Sequence, residues 1–242
     1  MKNSRDISIV PLQDDLLMTV AADNSGSVGE KREDEVNVPY EVVAYYGARV
    51  CVMETLAVGA EPRTFIIHSF NEENVWDSMV QGAQRAFKEV GLENIEIIGS
   101  TESNFSLKQS ASSFTLIGSV KETGLRIGTT IEDTSYAVIG KPLVGEEIIR
   151  QRDEVLPLRF FQELCQLEGV YELVPVGSQG IGKELSVICE HPHDYGCSLP
   201  MDKSAGPSSC VLISFNPKIE NQLKKLTGNL FYPLYKKADK NL

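Results

Sequence analysis

Hydrophobic residues in the first half of the chain change period from two to three-and-four and back again. Residues 7–12 and 16–22 are short aliphatic runs on either side of Gln13-Asp14-Asp15, a pattern that predicts two strands joined by a hairpin turn. After Pro39 the apolar positions Val42, Val43, Tyr46, Val50, Met53, Leu56 and Ala57 fall three and four apart, which predicts a helix with one apolar face. Ala44, Gly47, Ala48, Cys51 and Ala57 are small enough to let a neighbour pack closely against it. Gly59 followed by Pro62 supplies its stop signal. The β-branched and aromatic run 64–70 reads as a strand. Residues 71–90 read as an amphipathic helix built on Val75, Trp76, Met79, Ala83 and Phe87 and ended by Gly91. Further strands are expected at 95–98, 114–120 and 136–139.

The turn that follows, Gly140-Lys141-Pro142-Leu143-Val144-Gly145, marks the expected domain boundary: residues 1–140 form one domain and 141–242 a smaller one. Beyond it come helical patterns at 146–153 and 158–168, a strand at 170–176 and a glycine-rich turn at 176–182. A helix at 183–189, a strand at 210–215 and a helix at 218–226 complete the second domain. Strands interleaved with helices place the chain in the α/β class. The basic end, Lys236 to Lys240, is expected to be solvated.

Composition narrows the partners. The 242 residues are 42% hydrophobic and 24% charged, enough to bury a core. A net charge of -11 argues against nucleic acid and anionic membrane surfaces, both of which need a basic face. It leaves a nucleotide open, because one divalent cation reverses the local sign. No apolar run approaches the ~18 residues of a membrane span. The start of the chain lacks the apolar core of a secretion signal. Five scattered cysteines without a CxxC pair fit a reducing compartment, so a cytoplasmic location is expected.

The candidate chemistry lies where apolar runs meet small residues. Asp23 ends one such run, and Asn24-Ser25-Gly26-Ser27-Val28-Gly29 follows with little side-chain bulk before Glu30-Lys31. A loop of this kind offers main-chain N–H groups to anionic oxygens, and the carboxylate can hold a divalent cation beside them. Gly99-Ser100-Thr101-Glu102-Ser103-Asn104 and the turn 177–182 repeat the construction. Glu54 stands in an otherwise apolar helix with Arg49, so it is either a paired buried charge or a functional one. Asp23, Glu54 and Glu102 are thus the candidate metal-ligating carboxylates. Magnesium with such oxygen ligands, joined by phosphates, suits phosphoryl transfer. Other chemistries are weaker: there is no GxxxxGK[ST] and no GxSxG, and His191-Pro192-His193 with Cys197 is not a closed zinc set. His68 reads as a packed core or cleft residue, and Asp14-Asp15 as a turn.

The order of these pieces resembles the aminoimidazole-ribonucleotide (AIR) synthetase superfamily, which includes thiamine-monophosphate kinase, selenophosphate synthetase and a hydrogenase maturation enzyme. Ala22-Asp23-Asn24 is similar to its strand-ending TD turn, and Met53-Glu54-Thr55-Leu56-Ala57-Val58-Gly59-Ala60-Glu61-Pro62 to its NDL-x-x-GA-x-P helix end. Gly99-Ser100-Thr101-Glu102 stands in place of its GGDT loop, and Gly140-Lys141-Pro142 closes the first domain. The chain departs from the pattern at Glu54, where the family has Asp, and at Thr101-Glu102, where the acid and the threonine are reversed. The segments ADNSGSVG, VNVPYEVV and GSTESNF look most like the α-ribazole kinase branch of cobamide (vitamin B12) salvage.

The resemblance implies a two-domain AIR-synthetase-like α/β fold, a homodimer whose N-terminal sheets join into a barrel, and ATP with Mg2+ as cofactors. It implies a kinase acting on the 5′-hydroxyl of a nucleoside-like acceptor, most nearly α-ribazole. A thiamine-monophosphate kinase-like enzyme and a non-catalytic ATP-binding protein are the alternatives. Asp23, Glu54 and Glu102 are the implied metal ligands. Asn24, Ser25, Gly26, Ser27, Lys31, Gly99, Ser100, Thr101 and Asn104 are the implied nucleotide contacts, and no residue stands out as a general base.

Overall fold

The computed structural model describes residues 5–237, so Ala238, Asp239 and Lys240 of the basic tail lie outside it. Two compact units divide the chain, Met1–Leu125 and Arg126–Leu242.

The first unit runs β1 (Ile7–Gln13), β2 (Leu16–Gly26), β3 (Val28–Gly29), β4 (Val36–Asn37), α1 (Tyr40–Ala57), β5 (Glu61–Ser69), α2 (Trp76–Glu89), β6 (Glu96–Thr101) and β7 (Ala111–Lys121). Its five-stranded sheet has the order β1-β2-β7-β5-β6. The pairs are antiparallel except β5 with β6, which are parallel and linked through α2. The β1–β2 hairpin turns at Asp14, whose positive φ of 53° an aspartate tolerates better than a branched residue.

Side chains alternate across this sheet, so its two faces differ. Ala21, Leu116, Phe65 and Ile97 form one row of the helix-covered face. The first three are buried, and the Phe65 ring meets Phe87 of α2 edge-on at 5.2 Å. Helix α1 lies close because Gly47 meets the Phe114 ring, where any Cβ would collide. The opposite face carries Val20, Ile117, Ile66 and Ile98, with Ile98 47% exposed. His68, expected in the core or a cleft, is exposed on that second face.

The second unit contains β8 (Ser135–Ile139), α3 (Glu146–Arg150), α4 (Leu158–Gln166), β9 (Val170–Pro175), α5 (Gly180–Ile188), β10 (Tyr195–Gly196), β11 (Val211–Phe215), α6 (Glu220–Thr227), β12 (Phe231–Pro233) and β13 (Tyr235–Lys236). Its main sheet is antiparallel, in the order β12-β8-β11-β9. Val138, Val174, Ile181, Leu185 and Leu212 pack into its core beneath α5.

Residue 140, the expected boundary, falls after β8, yet both strand partners of β8 belong to the second unit. The segment before β8 is tied there as well. Thr130 donates its N–H (3.0 Å) and hydroxyl (2.8 Å) to the Glu172 carboxylate. The start of the basic tail is likewise held: Lys236 pairs in β13 with β10, and Lys237 Nζ donates to the His193 carbonyl at 3.1 Å.

Candidate functional site

Two of the first-unit motifs, Asp23–Gly26 and Gly99–Thr101, gather at one end of the first sheet, whereas Met53–Pro62 runs toward the other end, where Thr55 approaches Gly118 and Glu61 pairs with Ser119. Strand register sets the arrangement. Asp23, Phe114, Ile67 and Gly99 make one cross-strand row, and Ser25, Ser112, Ser69 and Thr101 make the next. The outer row is therefore four hydroxyl groups from four strands. Asn71 anchors its centre, donating Nδ2 to Ser112 Oγ (3.0 Å) and to Ser69 Oγ (3.3 Å). The Asn71 amide oxygen accepts from Ala111 N–H at 3.1 Å. Gly99 allows the Trp76 ring at the start of α2 to approach, since a Cβ there would stand 2.8 Å from the indole.

Asp23 is half-buried on this face, and desolvation pushes its carboxyl up to about 6 against an opposing hydrogen bond from the Asn24 N–H. Cys51 of α1 lies beside it. Its thiol donates to the Phe114 carbonyl at 3.7 Å, and burial followed by the charges of Asp23 and Glu54 holds it well above the usual thiol range. Glu54 itself is only 7% exposed. The charges of Asp23, on a strand, and Glu54, on a helix, are thus both felt at one buried thiol. Arg49, also on α1, is buried against Tyr45, Tyr46 and Glu89.

Other expected residues are placed differently. Asn24, Ser25 and Gly26 were expected in a loop, but β2 continues through them, opposite Ser113, Ser112 and Ala111. Gly99, Ser100 and Thr101 likewise continue β6 beside Ile67, His68 and Ser69. Main-chain groups engaged in a ladder are not free to cradle an anion, so a run of open amides is not what these segments offer. Alternation also splits the set: Asp23, Ser25, Gly99 and Thr101 share the helix side, whereas Asn24 and Ser100 face the other. The turn comes at Ser27, with φ of 60°, and its N–H donates to the Ser110 carbonyl at 2.8 Å.

Glu102 follows β6, donates its N–H to the Ser69 carbonyl and accepts the Asn104 N–H at 2.6 Å. Lys31 Nζ donates to the Leu107 carbonyl at 3.0 Å. Among the described residues no three of His, Cys, Asp and Glu come together as a metal-ligand group, so neither Asp23, Glu54 and Glu102 nor Asp23, Cys51 and Glu54 form one. The turn 177–182 belongs to the second unit and leads into α5.

Three participants carry no signal in the sequence read alone. Asn71, Ser112 and Asp34 act through partners 40 to 76 residues away. The local trace they leave is polar residues beside strand ends.

No family model and no curated protein sequence matches the chain. Solved structures do. The thiamine monophosphate kinase of Aquifex aeolicus is 12% identical, with 96% of this chain and 89% of that one covered at a TM-score of 0.62. Hydrogenase maturation protein HypE is 14% identical, with 95% and 83% covered at 0.63. PurL of T. maritima, complexed with AMPPCP, is 12% identical, with 94% of this chain and 42% of that one covered at 0.60. At these identities the likeness is one of fold: the chain has the two-domain α/β architecture of the AIR-synthetase-like proteins.

Proposed function

We propose that this protein is an ATP-dependent phosphotransferase whose acceptor is the 5′-hydroxyl of a nucleoside-like molecule, α-ribazole in cobamide salvage. The observation that carries the reading is the place of Asp23 on the helix side of the sheet, one step along it from the hydroxyl row Ser25, Ser112, Ser69 and Thr101. Two solved structures of this fold, PurL and a thiamine monophosphate kinase, are complexes with AMPPCP. Two carboxylates fit magnesium, which uses one or two protein carboxylates and takes its remaining ligands from phosphates and water. Asp23 and Glu54 would hold the ion, which supplies positive charge to the phosphates. The chain's own work is then positioning: the hydroxyls of Ser25 and Thr101 face the same side as Asp23 and can orient phosphate oxygens. Phosphoryl transfer needs little covalent chemistry from the protein, so the absence of an obvious general base is compatible with it.

Incubating the protein with ATP, Mg2+ and α-ribazole, with thiamine monophosphate as the comparison acceptor, is expected to yield α-ribazole 5′-phosphate and ADP in equal amounts. Binding of AMPPCP with no phosphoryl transfer from ATP to either acceptor would support the non-catalytic alternative. That second reading is supported by the lack of any three-residue metal-ligand group among the described residues.

The homodimer belongs to the same proposal. The sheet face bearing Val20, Ile66, Ile98 and Ile117 has neither α1 nor α2 over it, and a second copy would cover it. Ile117→Glu is expected to shift the parent dimer to monomer in sedimentation velocity. A parent that sediments as a monomer rules the barrel out.

A further inference from the structure

Residues 102–110 cross from the end of β6 to the start of β7, passing β5, which lies between them in the sheet. This crossover therefore borders the end of the sheet that carries the hydroxyl row. It is not loose at its far side. Asp34 accepts three hydrogen bonds there: from Ser110 N–H (2.7 Å) and Ser110 Oγ (2.7 Å), and from Lys31 N–H (2.9 Å). Tyr40, the first residue of α1, adds its hydroxyl to Ser110 Oγ at 2.8 Å. Gln109 Nε2 reaches the Glu33 carbonyl at 2.7 Å, and Lys31 Nζ reaches the Leu107 carbonyl. Closer to the sheet, Ser27 N–H meets the Ser110 carbonyl.

The segment after β2 and the segment after β6 are thereby fastened into one rim. Three donors on one carboxylate make Asp34 its centre, because charge-assisted bonds are the stronger ones. These bonds also hold the Asp34 carboxyl below its ordinary range against the desolvation that opposes them.

We infer that Asp34 is a positioning residue for nucleotide binding: it fastens the 102–110 crossover to the 27–36 segment and so fixes the rim of the site at the end of the first sheet. The inference rests on the nucleotide-binding reading above. The alternative is that Asp34 only stabilises a surface loop. The two differ in where a lesion is felt. A rim that positions ligand will open locally and weaken nucleotide binding while the sheet and α1 stay protected. A merely stabilising residue will raise exchange throughout the unit, or will open the loop with no change in affinity.

The test uses the full chain with Asp34→Ala and Asp34→Asn, hydrogen exchange read by mass spectrometry, and AMPPCP with Mg2+ titrated by calorimetry. Asp34→Ala is expected to raise exchange tenfold or more in peptides spanning 102–110 and 27–36, leave β7 and residues 126–242 unchanged, and weaken AMPPCP at least about tenfold. The loss of three charge-assisted hydrogen bonds makes that a modest demand. Asp34→Asn keeps one acceptor oxygen and is expected to recover part of the affinity. Unchanged exchange at 102–110 overturns the inference, and so does an affinity within twofold of the parent once the loop has opened. A parent that binds no AMPPCP removes the nucleotide reading itself, and that failure is visible before any variant is made.

Discussion

Asp23→Asn is expected to stabilise the cation-free protein at pH 8 and, in the same molecule, to lower ATP turnover by about 100-fold or more. Both effects come from one desolvated carboxylate. Its pKa rises from 3.8 to about 6 on folding, so between those values the folded state holds a proton that the unfolded chain has released. Stability therefore falls as pH rises from about 4 to about 6, and the full penalty is present above that. A shift of this size is on the order of 2–3 kcal/mol at about 1.4 kcal/mol per unit. Asparagine keeps the shape and removes the charge, so it should recover most of that figure at pH 8 and only a small part at pH 4, where the folded parent's carboxyl is protonated and the unfolded chain's is roughly half ionised. Urea titrations at the two pH values with EDTA present measure this directly. Adding Mg2+ with AMPPCP should raise the parent's midpoint and leave the variant's nearly unmoved, because a ligand that binds only the native state stabilises it by mass action. Loss of an anionic metal ligand accounts for the kinetic effect, since transfer of a phosphoryl group depends on positioning and charge neutralisation. An Asp23→Asn protein that is less stable than the parent at pH 8, or that gains equally from Mg2+ and AMPPCP, sinks the metal role.

How far the sequence could be read depends on the range of the interactions involved. The helix over 40–57 is legible from its local apolar run and the entry that Pro39 fixes, but its buried face is not the expected one. Ala44, Gly47, Ala48 and Cys51 are buried, whereas Val42, Tyr46, Val50 and Leu56 are only half-buried, because the close packing selects small residues. The hairpin at Asp14-Asp15 is equally local. Asp23 was legible as the carboxylate closing an apolar run. The continuation of the strand through Asn24-Ser25-Gly26 was not, because those residues have turn composition and become strand only when Ser112 and Ser113 of β7 are offered beside them. The same override carries β6 through Gly99 and Ser100. The domain boundary was misplaced for a related reason. Thr130 is committed to the second unit by Glu172, 42 residues further on, and no local pattern announces that. Asp34 was hidden most completely, within a run of six charged residues from Glu30 to Glu35 whose obvious reading is a solvated surface. Its partner, Ser110, lies 76 residues away.

Gly82→Ala is expected to be strongly destabilising, although Gly82 touches none of the candidate ligands. On α2 it faces α1, where an added Cβ would collide with the backbone carbonyl of Glu41 and crowd the backbone N–H of Tyr45. A flexible side chain could swing away from such a methyl. The first turn of α1 cannot, because its backbone is bonded within the helix and begins at the N-cap Pro39. The two helices must therefore separate. Separation strains the Gly47–Phe114 contact, on which α1 lies against the sheet, and with it the placement of Cys51 against the Phe114 carbonyl and Asp23. Overpacking of this kind costs about 3 kcal/mol when backbone has to move. That outweighs the gain of roughly 1 kcal/mol in helix propensity from replacing glycine by alanine. The urea midpoint of the first unit should fall by about 1 M or more, and AMPPCP binding should weaken with it. Gln81→Ala, one position away on the exposed side of the same helix, should leave both near the parent's values. If Gly82→Ala is instead as stable as the parent, α1 and α2 are not packed backbone to backbone, and the placement of Cys51 over the sheet loses its support.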